Sequence, residues 1–422
     1  MPSLLQQGGL REAAVPVMDR LGAGTARAVP VLLGVFIILI PFSQDTSVKE
    51  ICFYASTGLC ALSMGAGRLR ISFTAPVAPP FAAFIIWVIL AAPFTLNLPN
   101  TVNDIWAHLV KYLIYAAMVA HFFAGRRRFV VLTWLVIASA TLYVAWYVAY
   151  FYVFLGNPWG SRLILFPYRD YIYVFALLLA GGHLFGGHSP AVRAAAGAAM
   201  AVQIAAAVLS QSRSTLLAML VGLFVLCPKK KLTLLIAAAV MIVAVAVDSP
   251  LGRRFTQETT LMNDRLTTNW VSLLVVRDHP VFGIGFGMQT YGLPAFVDLE
   301  KYHEMVPERY RWPLILRAPH NLLADVAVRT GVVGLGLYLW MLAAFARMLM
   351  RRMQASPDAF AGRWAGCSAA CLSAYLAQAM FGDATYDLQA LVFYTNLAMG
   401  VILWRMTPAD QVSPATTNFG TP

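Results

Sequence analysis

Apolar residues run along this chain in blocks of about 16 to 25, parted by short polar connections. A block of that length, wound at about 1.5 Å per residue, crosses the roughly 30 Å hydrocarbon layer of a bilayer. Blocks fall near 28–43, 51–66, 77–95, 105–123, 129–153, 171–186, 193–209, 213–227, 231–247, 320–346, 363–381 and 387–404, and they predict about twelve transmembrane helices. The pattern breaks at length once, over 248–319, where charged residues return before an apolar block resumes behind Arg317-Ala318-Pro319-His320-Asn321. The expected fold is therefore all-α and polytopic. Residues 1–247 form an N-terminal transmembrane region of about nine helices, 248–319 one large extramembrane loop, 320–406 a C-terminal transmembrane region of about three helices, and 407–422 a Pro/Thr-rich tail expected to be disordered.

Composition agrees with the pattern. The 422 residues are 59% hydrophobic and 12% charged, with a mean hydropathy of +0.68, values outside the range of soluble domains. The first block follows Arg11, Arg20 and Arg27 in the manner of a secretory leader, but no small-x-small cleavage site follows it, so it is expected to be a retained span.

Charge adds orientation. Arg68 and Arg70, Arg126 to Arg128, Arg193, Lys229 to Lys231, Arg347, Arg351, Arg352, Arg363 and Arg405 all fall in alternate connections. Basic residues resist translocation, so that face is expected to be cytoplasmic with both termini, and the 248–319 loop periplasmic. Most of the +12 net charge is thus topological, which leaves no uniform basic patch for nucleic acid. The five cysteines lie in spans or on the cytoplasmic side and imply no disulfide framework. Cys367 and Cys371 share a helix face but lack further ligands nearby, so no metal or cofactor is expected.

Candidate chemistry gathers on the other face. Ser210-Gln211-Ser212-Arg213-Ser214-Thr215 is a turn so short that Arg213 sits at the membrane boundary, either as a snorkelling anchor or as an anion contact. Within the large loop, Arg265 precedes Trp270, Leu273, Leu274 and Arg277, an apolar spacing that predicts an amphipathic surface helix. A cation near a helix N-terminus opposes the helix dipole, which favours a role facing an anion over a structural one. Pro280 ends that helix, and Gly283, Gly285 and Gly287 form a tight turn expected to let the backbone approach the membrane or a ligand. It lacks the terminal Gly-Lys-Ser/Thr of a nucleotide loop. Glu300, Glu304 and His303 are expected to form a solvated face, since nothing apolar nearby would raise a carboxyl pKa for acid catalysis.

His320 stands at the N-terminal mouth of a membrane helix that Asn321 is placed to cap. The positive end of the helix dipole disfavours an imidazolium there, and a neutral imidazole accepts a proton. Asp325 faces the same way and either orients that imidazole or pairs with Arg329. Arg162 and Arg169, with Trp159 and Tyr168, and Asp383, Tyr386 and Asp387 lie in other connections of the same face.

The order of these elements carries a resemblance. A Ser-x-Ser-Arg turn, an arginine ahead of Trp270, an Asp-His-Pro-x-x-Gly-x-Gly-x-Gly run, and His-Asn-x-x-Leu opening a span that continues into Gly331-Val332-Val333-Gly334 together resemble the O-antigen ligase and polymerase superfamily, over about residues 205–345. The first half of the chain matches only in hydropathy. The resemblance implies a fold similar to the GT-C glycosyltransferases and metal-independent, inverting transfer of a glycan from undecaprenyl diphosphate at the periplasmic face of the bacterial inner membrane, by a protein expected to be a monomer. With that reaction His320 is the candidate general base, Arg265 and Arg213 are candidates for the diphosphate, and Arg162, Arg169, Arg317, Asn321, Asp325 and Tyr386 are candidate substrate contacts by their place on the same face, a structural role being the favoured reading of Arg162 and Arg169. Bidentate guanidinium groups suit the charge of a diphosphate leaving group. The favoured acceptor is a sugar hydroxyl of lipid A core, as in a ligase, with the end of a growing polysaccharide or a protein side chain as alternatives. From a different class, a twelve-helix transporter or flippase fits the span count, with Lys111 and Arg329 as its candidate midplane charges.

Overall fold

The computed structural model describes residues 5–42, 46–159, 161–163, 170–186, 189–227, 260–313, 315–355, 359–382 and 385–407. These are helices and turns, with no strand among the described residues. In chain order the helices are α1 (Leu5–Leu39), α2 (Thr46–Gly65), α3 (Ala78–Ala91), α4 (Leu98–Asp104), α5 (Lys111–Phe122), α6 (Arg126–Val148), α7 (Asp170–Phe185), α8 (Pro190–Ser210), α9 (Arg213–Leu226), α10 (Thr260–Asp278), α11 (Leu299–Glu304), α12 (Leu322–Ala355), α13 (Phe360–Ala379) and α14 (Asp387–Arg405). A π turn, Ile105–Val110, joins α4 to α5 in one continuous rod, and a second, Ala149–Phe154, extends α6.

Among the described residues six helical segments are long and apolar enough to cross a membrane, and three shorter apolar ones accompany them. The protein is polytopic, but by that measure the expected count of about twelve is not reached. The block predicted at 231–247 and the first part of the outer loop, 248–259, lie outside the described residues, as do Arg169, Tyr168, Asp383 and the tail after Thr407.

Apolar residues sort by depth. α7 and α14 are buried almost all round, as a helix must be when it is apolar on every face and surrounded by others. Around them, Val31, Ile51, Leu62, Ile86, Leu90, Leu142 and Val153 are exposed. Such a belt is a defect in water and a requirement in lipid.

The two ends of the bundle differ. At one, Arg126 lies over the Phe360 ring, with 5.1 Å to its centroid, Arg352 donates to the carbonyl of Met406, and Arg405 donates to that of Ser72 at 2.7 Å. Basic connections remote in sequence therefore meet at one end. At the other, Arg162 donates to the carbonyl of Ser210 at 3.1 Å, and α10 packs over α12 and carries α11. This outer segment has its own small core of Val271, Leu274, Val275, Ile284, Tyr291 and Tyr302, closed from below by Val328 of α12.

The buried stripe of α10 differs from the expected one. Thr267, Val271, Leu274 and Val275 face inward, whereas Leu273 is 59% exposed. Spacing alone admits both stripes, and the neighbours α11 and α12 select between them. Glu300 and Glu304 are exposed, and the α11 cap is Asp298, whose carboxylate accepts from Lys301 N at 3.1 Å.

Candidate functional site at the outer mouth of the bundle

The site begins with a break. α12 loses helical geometry at Gly331, where φ is +70° and ψ −178°. An interrupted membrane helix leaves backbone groups without partners, and in hydrocarbon each must find one. The Gly-rich turn supplies them: Ile284 N donates to Val328 O at 2.8 Å, and Val332 N donates to Pro280 O at 2.8 Å. Trp87 of α3 donates its indole N–H to Thr330 O at 2.9 Å.

This explains the glycines. A Cβ at Gly283 would strike the backbone of Val328 and Arg329, and one at Gly285 would overlap Thr95 and Thr101. A Cβ at Gly331 would strike the Val281 carbonyl. The expectation that the turn approaches membrane or ligand is corrected, since what it approaches is the chain's own backbone. Met288 N then donates to Asp104 Oδ2 at 2.7 Å and Gln289 N to Asn100 Oδ1 at 3.2 Å, tying the turn to α4.

His320 and Asn321 sit directly above the first half of α12. Asn321 Oδ1 accepts from Leu323 N at 3.0 Å and Ala324 N at 3.1 Å, the bonds of an N-cap. Its amide nitrogen donates to Met380 O at 3.3 Å. The next carbonyl, that of Phe381, accepts from Arg265 Nη1 at 2.6 Å, and the Arg265 guanidinium lies 5.6 Å from the Phe381 ring centroid. The C-terminal turn after α13 thus brings the outer segment and the His320 junction together.

The same helix end reaches the Arg213 turn. Gln378 Nε2 donates to Thr215 Oγ1 at 3.3 Å, and Thr215 donates to Asp170 Oδ2 at 2.7 Å. Arg213 occupies the first position of α9, behind Ser212. Tyr173 and Ser210 hydroxyls lie 3.2 Å apart, and Arg162, itself exposed, ties its connection to the end of α8. Three pieces remote in sequence, carrying Arg213, Arg265 and His320, therefore converge on Gln378–Phe381.

Backbone strain concentrates here as well. Among the described residues, the non-glycine residues with positive φ are Gln211 at 51°, His320 at 50° and Asp387 at 48°. His320 and Asp387 adjoin the candidates Asn321 and Tyr386, and Gln211 lies two residues before Arg213. Left-handed backbone costs a bulky residue free energy and persists where surroundings enforce it, commonly at binding and catalytic sites.

The remaining candidates separate. Arg317 is exposed, its backbone packed on Gly292. Asp325 is buried, accepts from the Thr385 hydroxyl, and lies 3.4 Å from Arg329 Nη1. Of the two partners weighed for Asp325, the described contacts show Arg329. Arg329 in turn donates through Nε to Phe286 O at 2.8 Å and stacks on the Phe286 ring. Tyr386 meets His108 of the π turn, with ring centroids 6.3 Å apart, and His108, Arg329 and Thr385 line an aromatic cavity with Tyr338, Tyr375 and Tyr394. Lys111 is paired with Glu50.

Sequence reasoning missed Gln378, Thr385, Asp170 and Asp104. Gln378 and Asp104 had a signal, a polar residue at the edge of an apolar block. Thr385 had none.

Outside the membrane, the Tyr302 hydroxyl donates to Asp278 Oδ2 at 3.0 Å, and this bond, helped by Arg277, holds the Asp278 carboxyl below its ordinary range. Burial and the same carboxylate push the Tyr302 phenol up to about 12.

Fold and site together define a polytopic α-helical membrane protein whose polar machinery is assembled at one end of the bundle under a folded cover. Residues 198–339 match a family model described as O-antigen ligase, and the match supports membership of the O-antigen ligase superfamily. It runs from within α8, through Arg213, α10, the Gly-rich turn and His320, past the break in α12, and it points to a glycosyltransferase-like enzyme of O-antigen synthesis that handles lipid-linked glycan at a membrane. No curated protein matches the chain.

Proposed function

We propose that the protein is an O-antigen ligase, transferring a glycan from undecaprenyl diphosphate to a sugar hydroxyl of lipid A core. The observation that supports this reading is that Arg265 itself, Thr215 of the Arg213 turn and Asn321 beside His320 all bond to the end of α13, with all three in the segment that matches the family model. Arg213 and Arg265 hold the diphosphate, where two guanidinium groups supply the positive charge that a divalent metal supplies in other transferases. His320 accepts the proton of the acceptor hydroxyl, whose oxygen attacks the anomeric carbon. The bond from that carbon to the phosphate oxygen breaks, the lipid diphosphate leaves, and direct displacement inverts the configuration. Arg162, Arg317 and Tyr386 are further candidate contacts for sugar or phosphate, as is Arg169, which lies outside the described residues.

The basic connections at the far end of the bundle favour a cytoplasmic position there, which leaves this mouth periplasmic. A broken helix is also a mark of transporters, where the freed backbone faces substrate. Here Pro280, Ile284 and Trp87 satisfy it, which favours an enzyme. The test is purified protein in detergent, supplied with lipid-linked glycan and lipid A core. Transfer to core is expected without any gradient. Elongation of the lipid-linked glycan instead makes the protein a polymerase, and no transfer to either acceptor removes the reading.

A further inference from the structure

At the opposite end of the bundle, α12 opens a groove of about 690 Å³ lined by Pro76, Trp340, Ala343, Ala344, Arg347 and Arg351. Trp340, Ala344, Arg347 and Arg351 recur at helical spacing and form one stripe of the helix. The two alanines keep the floor low, and Pro76, in the connection leading to α3, forms the facing wall.

Arg347 and Arg351 are one turn apart, about 6 Å along the axis at 1.5 Å per residue, and like charges at that spacing repel. Other arginines at this end are engaged by the protein: Arg352 by the Met406 carbonyl, Arg405 by that of Ser72, Arg126 by the Phe360 ring. Arg347 and Arg351 are exposed and make no hydrogen bond or ion pair among the described residues, and no carboxylate lines the groove. About 10 Å further along α12 from Arg347, at 1.5 Å per residue, Trp340 is half exposed, an amphipathic ring of the kind enriched at membrane interfaces. Topology calls for basic residues at this end. It does not call for two of them in one concavity above an aromatic.

We propose that this groove binds an anionic phospholipid of the adjoining leaflet, its phosphate between Arg347 and Arg351 and an acyl chain along Trp340 and Ala343. Guanidinium groups take phosphate oxygens in pairs, and basic pockets beside membrane helices are suited to anionic headgroups. The inference is independent of glycan transfer and fails or stands apart from it.

The test is native mass spectrometry of the full-length protein in mixed micelles with phosphatidylglycerol or phosphatidylcholine. The wild type is expected to retain phosphatidylglycerol preferentially. The R347Q/R351Q variant should lose that retention several-fold, with phosphatidylcholine retention and thermal unfolding unchanged, and the single variants R347Q and R351Q carry the test if the double does not fold. Equal retention of the two lipids by the wild type, or unchanged phosphatidylglycerol retention in the variants, overturns the proposal. Displacement of the lipid by inorganic phosphate at millimolar concentration assigns the groove to free phosphate and overturns the lipid.

Discussion

Val332 donates its backbone N–H to the carbonyl of Pro280 at 2.8 Å, so the outer segment provides the bond that α12 loses at its own break. Cover and membrane helix are therefore one cooperative structure at this point. Gly331 makes it possible, with φ at +70° and no room for a Cβ beside Val281. Gly331→Ala is expected to destabilise the protein by about 1–3 kcal/mol from backbone strain alone, with the clash added. Gly336, which has open space around it, is the control and should tolerate alanine. Equal thermal midpoints for the two variants in detergent would show that the break is dispensable.

Arg329 and Asp325 are both buried, and Arg329 also holds the Phe286 carbonyl. Removing one member of a buried pair strands the other, at a cost of about 3–5 kcal/mol. Arg329→Met should therefore unfold the protein at much lower temperature. The R329M/D325L double variant should recover much of the loss, because no buried charge remains. Strictly additive effects in that cycle would mean the two residues are not coupled.

Asn321 caps α12 and ties it to Met380. Asn321→Ala should cost about 1 kcal/mol of stability, and by loosening His320 should lower kcat for transfer more than it raises KM. Asn321→Asp, which keeps the capping oxygen, should restore stability; if it does not, the cap is not what the asparagine contributes.

On the proposed mechanism, His320→Ala and Arg265→Ala each abolish transfer while the protein stays folded in the membrane. Arg265→Lys keeps the charge but not the planar fork, and kcat/KM is expected to fall about tenfold or more. Near-normal rates in any of these variants would take that residue out of the mechanism.

Asp278 has its carboxyl pulled down chiefly by the Tyr302 hydroxyl, then by Arg277. A group depressed in the folded state adds stability above its unfolded pKa, and that stability is lost as pH falls through the folded value. The outer segment should therefore loosen below the ordinary aspartate range. Tyr302→Phe should remove this acid-dependent step, visible as a flatter pH profile of hydrogen exchange in α10 and α11. An unchanged profile would assign the acid sensitivity to other carboxylates.

The sequence singled out Arg213 and His320 as polar residues at the edges of apolar blocks, a position that costs free energy unless something uses it, and Arg265 as a cation near a helix N-terminus in the outer loop. What ties their three segments together was not legible, because Gln378–Phe381 holds Thr215, Asn321 and Arg265 through one side-chain amide and two backbone carbonyls. A carbonyl leaves no mark in a sequence. The α10 stripe was misplaced for a related reason, since two helical registers of apolar residues were available and the packing of α11 and α12 decided between them.

The sequence by itself determined that the chain lies in a membrane as helices, that basic connections collect at one end, and that Asn321 caps a helix behind Pro319. Each of these follows from local free energies of transfer and hydrogen bonding, which a short window of residues sets. Only the tertiary structure decided that α12 breaks at Gly331, that Asp325 faces Arg329, and that the glycine-rich turn presses on backbone. Those outcomes depend on contacts between Pro280 and Val332, Trp87 and Thr330, and Thr95 and Ile284, whose partners lie far apart in the chain and meet only when the bundle has closed.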